Sequence, residues 1–172
     1  SPDLFLYLGQ LAQKYHCPFS CHVAEVQDEV RFLDGGDDSL EKLLKERSAW
    51  DPQWQAPGKT PVQYLDSLDL LDRLIAIHCN FVSADLDVMA EKKVSAVFCP
   101  NSTKWFGRTE FMPVRALLDL GVNVALGTDS RASNDSLNFL DELRMADELL
   151  PDVSRKEILA MATCAGGEAL GL

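Results

Sequence analysis

The sequence predicts an α/β fold built on a parallel sheet, and three observations carry that reading. Four short apolar runs, each about the length of a buried strand, alternate with stretches of helical periodicity. Three of those runs alternate large and small side chains along their length. The same three end in a histidine or an aspartate, at the carboxyl end where parallel α/β folds place their chemistry.

Taken in order, Leu4, Leu8, Leu11, Ala12 and Tyr15 fall on one stripe after Pro2-Asp3, which predicts an amphipathic opening helix. The first strand is Pro18 to His22, with Phe19 opposed to Ser20 and His22. Val26, Val30 and Leu33 mark a short helix that stops at Gly35-Gly36. The pattern allows a second helix over Ser39 to Arg47. The stretch from Trp50 to Gly58 is too rich in proline and tryptophan to be regular. Thr60-Pro61 reads as an N-cap and first turn of a helix leading to Leu68.

The second strand, Leu74 to His78, sets Ile75 and Ile77 against Ala76 and His78. Ser83 is placed as the cap of a helix with Leu86, Met89 and Ala90 inward. The third strand is Val94 to Cys99, followed by an irregular stretch through Arg108. Pro113 opens a helix that Gly121 closes. The fourth strand runs from Val122 and ends at Asp129, with Asn123, Ala125, Gly127 and Asp129 on its small or polar face. A helix from about Ser136 to Leu150 carries Leu137, Leu140 and Leu143 on its apolar side. Ser154-Arg155-Lys156-Glu157 is a capping-box pattern opening a last helix with Ile158, Leu159 and Ala162. No domain boundary interrupts residues 1–172.

Composition excludes several classes of function. The 172 residues carry a formal net charge of −11, which opposes binding to nucleic acid because few basic side chains can displace phosphate counterions. No apolar run approaches the ~20 residues of a membrane span, and Ser1 to Gln10 lack the basic start of a signal peptide. Five cysteines, an odd number without framework spacing, point to a reducing cytoplasmic compartment. Cys17, Cys21 and His22 have the wrong spacing for a structural zinc site.

The candidate chemistry lies at the strand ends. A neutral imidazole at His22 suits Zn²⁺ or Fe²⁺, and Glu25 follows close enough to reach a substrate bound there. Asp129 is a candidate metal ligand and proton acceptor, since a metal lowers the pKa of bound water from ~15.7 to ~7. His78 is a candidate for orienting that hydroxide or steadying charge on the attacked carbon. Each has a structural alternative: a hydrogen-bonded strand-end histidine, or an aspartate that caps a loop. Their coincidence at one end of three strands favours a site. Asn101 and Ser102 are placed to contact substrate, although Asn101 also suits a turn. Trp50, Trp54, Trp105 and Phe106 either stack on a heteroaromatic ring or cover the site, and covering is favoured. His16 and Arg108 are read as surface residues.

The stretches His22-Val23-Ala24-Glu25, Ile77-His78-Cys79, Cys99-Pro100-Asn101-Ser102, Leu126 to Ser130 and Ala132 to Asp135 together resemble the amidohydrolase superfamily, in particular its mononuclear-metal deaminases and chlorohydrolases. The resemblance implies a partial TIM (β/α)8 barrel, about strands five to eight, covering nearly the whole chain. It implies that His22 and Asp129 are metal ligands, with one divalent ion, Zn²⁺ before Fe²⁺. Glu25 would protonate a ring nitrogen and His78 would assist the attacking water, with Asn101, Ser102 and Trp105 at the substrate. The implied reaction is hydrolytic deamination of a purine-like or other N-heterocyclic small molecule by metal-activated hydroxide, with dechlorination or amide hydrolysis as alternatives. The family's first strand supplies a His-x-His pair, and none of His16, His22 and His78 forms one. The expectation is therefore a C-terminal half-barrel from a longer enzyme, nearly inactive alone and prone to self-association through its open strand edges. A non-catalytic α/β binding or assembly module is the competing reading. An open flavodoxin-like sheet would want a phosphate loop or acidic phosphoacceptor site that is not evident.

Overall fold

The computed structural model describes residues 2–36 and 39–172. Pro2–Tyr15 forms helix α1, and Phe19–Val23 the first strand, β1. Three helices follow before the next strand: α2 (Gln27–Asp34), α3 (Ser39–Glu46) and α4 (Pro61–Ser67). Leu74–His78 is β2, Leu86–Glu91 α5, Ser95–Phe98 β3, Pro100–Trp105 α6, Val114–Asp119 α7 and Asn123–Leu126 β4. Helices α8 (Phe139–Leu149), α9 (Arg155–Met161) and α10 (Cys164–Ala169) complete the chain.

The four strands are all parallel and lie in sequential order, β1-β2-β3-β4. Each new strand therefore adds beside the last through a helical crossover, as the alternation of strand and helix patterns predicts. Register sets the two faces. Phe19, Cys21 and Val23 lie level with Leu74, Ala76 and His78. Ala76 is level with Ala96, and Ala96 and Phe98 with Val124 and Leu126. This face is the buried one, packed with Met89, Val114, Leu117, Ala146, Ile158 and Met161 from the helices. The other face carries Ser20, His22, Ile75, Ile77, Ser95, Val97, Asn123 and Ala125, of which only Ala125 is buried.

Local chemistry explains the helix ends. Gly35 closes α2 at φ 86°, a left-handed conformation open to glycine at little cost. The Thr60 hydroxyl accepts from the Gln63 amide ahead of Pro61. Ser154 and Glu157 form the expected reciprocal capping box.

Several expectations need correction. The buried side of α1 is Gly9 and Ala12, not the whole leucine stripe; Leu4 and Tyr15 are exposed. Leu70 explains this, because its methyl packs so close to Gly9 that a β-carbon there would lie 2.4 Å away. Helix α5 begins after Asp85 rather than Ser83, and the Asp85 carboxylate accepts from the Gln63 side chain instead of capping. The stretch after β3 is helical from Pro100 to Trp105, since Pro100 suits a first helical position. Helix α8 starts at Phe139, after Ser136 and Asn138 turn the chain with their own side-chain bonds. That leaves Leu137 and Leu140 exposed, and Leu159 of α9 is exposed as well. Among the described residues no helix is long and apolar enough to cross a membrane.

Candidate metal and catalytic site

The site lies where the four strands end, and it is assembled by backbone as much as by side chains. Beyond β1 the chain turns at Ala24, with φ 49°, and delivers Glu25. Glu29, in the first turn of α2, accepts the amides of Ala24 at 2.8 Å and Glu25 at 3.0 Å. Burial pushes the Glu29 carboxyl above its ordinary range, partly offset by those two amides. The loop after β2 locks onto the same turn. The Cys79 amide donates to the Val23 carbonyl, the Asn80 amide to that of Ala24, and the Asn80 side chain to that of Glu25 at 3.0 Å.

His78 reaches the cluster by a route that alternation does not predict. It is level with Val23, and its strand neighbour Ala76 faces the helical layer. Ile75 and Ile77, not Ala76, share the face of Ser20 and His22. The small-residue-face argument therefore fails for this strand. His78 and Cys79 both adopt positive φ, 73° and 49°, and this left-handed turn swings the imidazole to the rim. Its ring meets that of His22 edge-on, with centroids 4.7 Å apart.

The remaining geometry converges on His78. Its Nε2 lies 3.8 Å from Glu25 Oε2 and 3.8 Å from Asp129 Oδ2. His22 Nδ1 lies 3.3 Å from Glu25 Oε2. One atom each of His22, Glu25 and His78 fall within 4.8 Å of one another. His78 Nε2 is buried and has no hydrogen-bond partner among the described residues. Burial holds the His78 pKa below its ordinary value, against the pull of Glu25 and Asp129. Two imidazoles and two carboxylates converging in this way offer nitrogen and oxygen donors of the kind a divalent ion takes. The residues present fit such an ion.

Asp129, at φ 56°, is braced on both oxygens. Oδ2 accepts the hydroxyls of Ser102 and Ser133, each at 2.7 Å, and Oδ1 the Ser130 amide at 2.8 Å. Burial alone would raise its pKa, but these donors outweigh it and hold the carboxyl below the usual range.

The structure brings His22, Glu25, His78 and Asp129 together and places the expected substrate contacts differently from one another. Ser102 is buried and gives its hydroxyl to Asp129. Asn101 donates its backbone amide to Glu142, and its side-chain nitrogen is buried without a partner among the described residues. Trp105, at the end of α6, is half exposed. Trp50 and Trp54 pack with Phe32, Trp54 stacking on it at 5.4 Å, and Tyr64 meets Trp54 edge-on.

Sequence reasoning missed four residues here. Arg108 is not a surface arginine: its guanidinium pairs with Glu25 at 2.8 Å and is 15% exposed. Nothing in its neighbourhood signals this. Glu142 is fully buried, with Asn101 and Asn134 donating to it. An acid between Phe139 and Ala146, on the helix side facing inward, was the available signal. Glu29 was legible only as an acid one turn beyond Glu25. Ser133 lay within the matched stretch Ala132 to Asp135, but nothing there marked its hydroxyl as a brace for Asp129.

The amidohydrolase family model matches residues 1–172. A 5-methylthioadenosine/S-adenosylhomocysteine deaminase of Pyrococcus furiosus is 35% identical over 181 residues, covering 100% of this chain and 38% of that protein. A zinc-bound adenosine deaminase from Xanthomonas campestris superposes with a TM-score of 0.77 at 29% identity, over 99% of this chain and 36% of that one. A zinc complex of atrazine chlorohydrolase from Arthrobacter aurescens TC1 gives the same TM-score at 27% identity, over 99% of this chain and 35% of that one. The chain thus spans somewhat over a third of the length of these relatives, and its sheet corresponds to part of a TIM barrel.

Proposed function

Because the chain belongs to the amidohydrolase family, we propose that it forms the C-terminal half of a barrel enzyme that hydrolyses an N-heterocyclic small molecule, releasing ammonia from an aminated ring carbon. The observation that carries this reading is the unpartnered, buried His78 Nε2 at 3.8 Å from both Glu25 and Asp129. His22 and Asp129 would hold a divalent ion, Zn²⁺ in preference to Fe²⁺. Zinc in the adenosine deaminase and the atrazine chlorohydrolase supports that choice. The bound ion supplies a water acidic enough to lose its proton near neutral pH.

The chain's own residues do the rest. The braced, ionised Asp129 suits the cation. Glu25 holds a proton toward a ring nitrogen, so that the ring carbon becomes electrophilic as water adds. Neutral His78, between the two carboxylates, orients the attacking water and steadies charge on the attacked carbon. Hydrolytic dechlorination by the same residues is the second reading, supported by the likeness to the chlorohydrolase. Asn101, Ser102 and Trp105 would contact the substrate. The five free cysteines fit a reducing cytoplasm.

The test is metal analysis and turnover of the full-length gene product on a panel of aminated and chlorinated heterocycles. One equivalent of zinc, ammonia release, and loss of metal in His22→Ala are expected. Absence of metal together with absence of turnover would leave the chain a non-catalytic module. By itself the 172-residue chain should turn over poorly, and robust activity in isolation would refute the half-barrel assignment.

A further inference from the structure

We propose that Arg108 is a positioning residue that fixes the Glu25 carboxylate, an inference that rests on the reading of Glu25 as the proton donor. The two oxygens of that carboxylate have different partners. Oε1 accepts from Arg108 Nη2 at 2.8 Å, while Oε2 faces His22 at 3.3 Å and His78 at 3.8 Å. Pinning one oxygen leaves the other aimed at the reacting region. A second guanidinium nitrogen, Nη1, donates to the Glu25 backbone carbonyl, so the planar fork grips side chain and main chain at once.

Arg108 is itself held in place. Its amide donates to the Thr103 carbonyl at 3.0 Å, after a turn at Gly107 with φ 61°. Its guanidinium lies over the Phe106 ring, 4.8 Å from the centroid. The arginine thus reaches from the end of α6 back across β2 to the loop after β1.

A merely structural tie would be redundant here. The backbone around Glu25 is already fixed by Glu29 on two amides and by Asn80 on the carbonyl. What Arg108 alone contributes, among the described residues, is the hydrogen bond to the carboxylate oxygen. Removing it should leave the loop in place and free the acid to rotate.

The experiment is a double-mutant cycle in the full-length gene product, with kcat and KM measured for Arg108→Met, Glu25→Gln and the pair. An acid displaced by ~1 Å loses on the order of 10²-fold in rate. Arg108→Met should therefore lower kcat by about that factor with KM little changed, and should add almost nothing in the Glu25→Gln background. Arg108→Lys, which keeps the charge but not the fork, should recover part of the loss. A multiplicative double mutant, or an Arg108→Met kcat equal to wild type, would overturn the inference. Should Arg108→Met fail to fold, the same cycle with Arg108→Lys decides by the same criteria. A fully active Glu25→Gln would instead sink the proposed role of Glu25.

Discussion

Replacing Glu142 by glutamine tests how the Asp129 end of the site is held. Glu142 is fully buried on α8, and each of its oxygens has its own donor. Asn101 gives its amide at 3.1 Å to Oε2, and Asn134 its side-chain nitrogen at 2.6 Å to Oε1. Glutamine has the same shape but only one acceptor, so its NH₂ must face one of these donors. A hydrogen bond to a carboxylate contributes ~1.5–3 kcal/mol, and a buried donor left unsatisfied costs ~1–3 kcal/mol. These are two descriptions of overlapping losses, and removing a buried charge returns part of its desolvation cost. The expected net destabilisation is about 2–3 kcal/mol, which for a chain of this size lowers Tm by roughly 4–12 °C. Urea unfolding followed by tryptophan fluorescence should show a lower midpoint with an unchanged slope. Asn101 adjoins Ser102, and Asn134 adjoins Ser133, the two hydroxyls that brace Asp129. Metal affinity should therefore fall as well, by ~10–100-fold, the usual effect of disturbing the groups behind a ligand. A variant within about 0.5 kcal/mol of wild type, the ordinary spread of inert substitutions, would refute this account of Glu142.

Gly127→Ala would set a β-carbon 2.7 Å from a Val97 methyl and 3.3 Å from the Cys99 sulfur, so it should cost ~1–3 kcal/mol by overpacking. Calorimetry and zinc titration should show both lower stability and weaker metal binding, because Asp129 lies two residues on; unchanged values in both would contradict the packing. In acid, Arg115 and then Ser154 hold the Glu157 carboxyl down to about 2, below its ordinary 4.5. A depressed carboxyl contributes stability that is complete above its unfolded pKa and is lost as pH falls from about 4.5 toward about 2. Glu157→Gln should flatten that part of the acid-unfolding profile, and an unchanged acid limb would show that the pair contributes nothing.

Much of the fold was legible because strands buried on one side show period-two alternation and helices show caps. The parallel order, the glycine stop at Gly35 and the capping box at Ser154 all follow from local pattern. The errors arose where side-chain turns, backbone conformation or distant contacts override it. Leu137 and Leu140 look like core residues by spacing, yet side-chain turns at Ser136 and Asn138 delay the helix and expose both. His22 was readable as a strand residue, whereas β4 ends at Leu126 and Asp129 lies three residues beyond it at φ 56°, where strand alternation no longer sets its direction. His78 was singled out by an argument that does not hold for its strand, since its aim depends on a left-handed backbone invisible to alternation. Arg108 was unreadable for a different reason: its partner lies 83 residues earlier, and no local pattern encodes so distant an ion pair.

The backbone bonds that tie Val23 and Ala24 to Cys79, Asn80 and Phe81 have a practical corollary for engineering. The segments that leave the first two strands form one stapled unit. Transplanting either into another scaffold without its mate would break three main-chain bonds and misdirect both imidazoles. Attempts to retarget the pocket by loop exchange should therefore move residues 23–29 and 78–81 as a matched set.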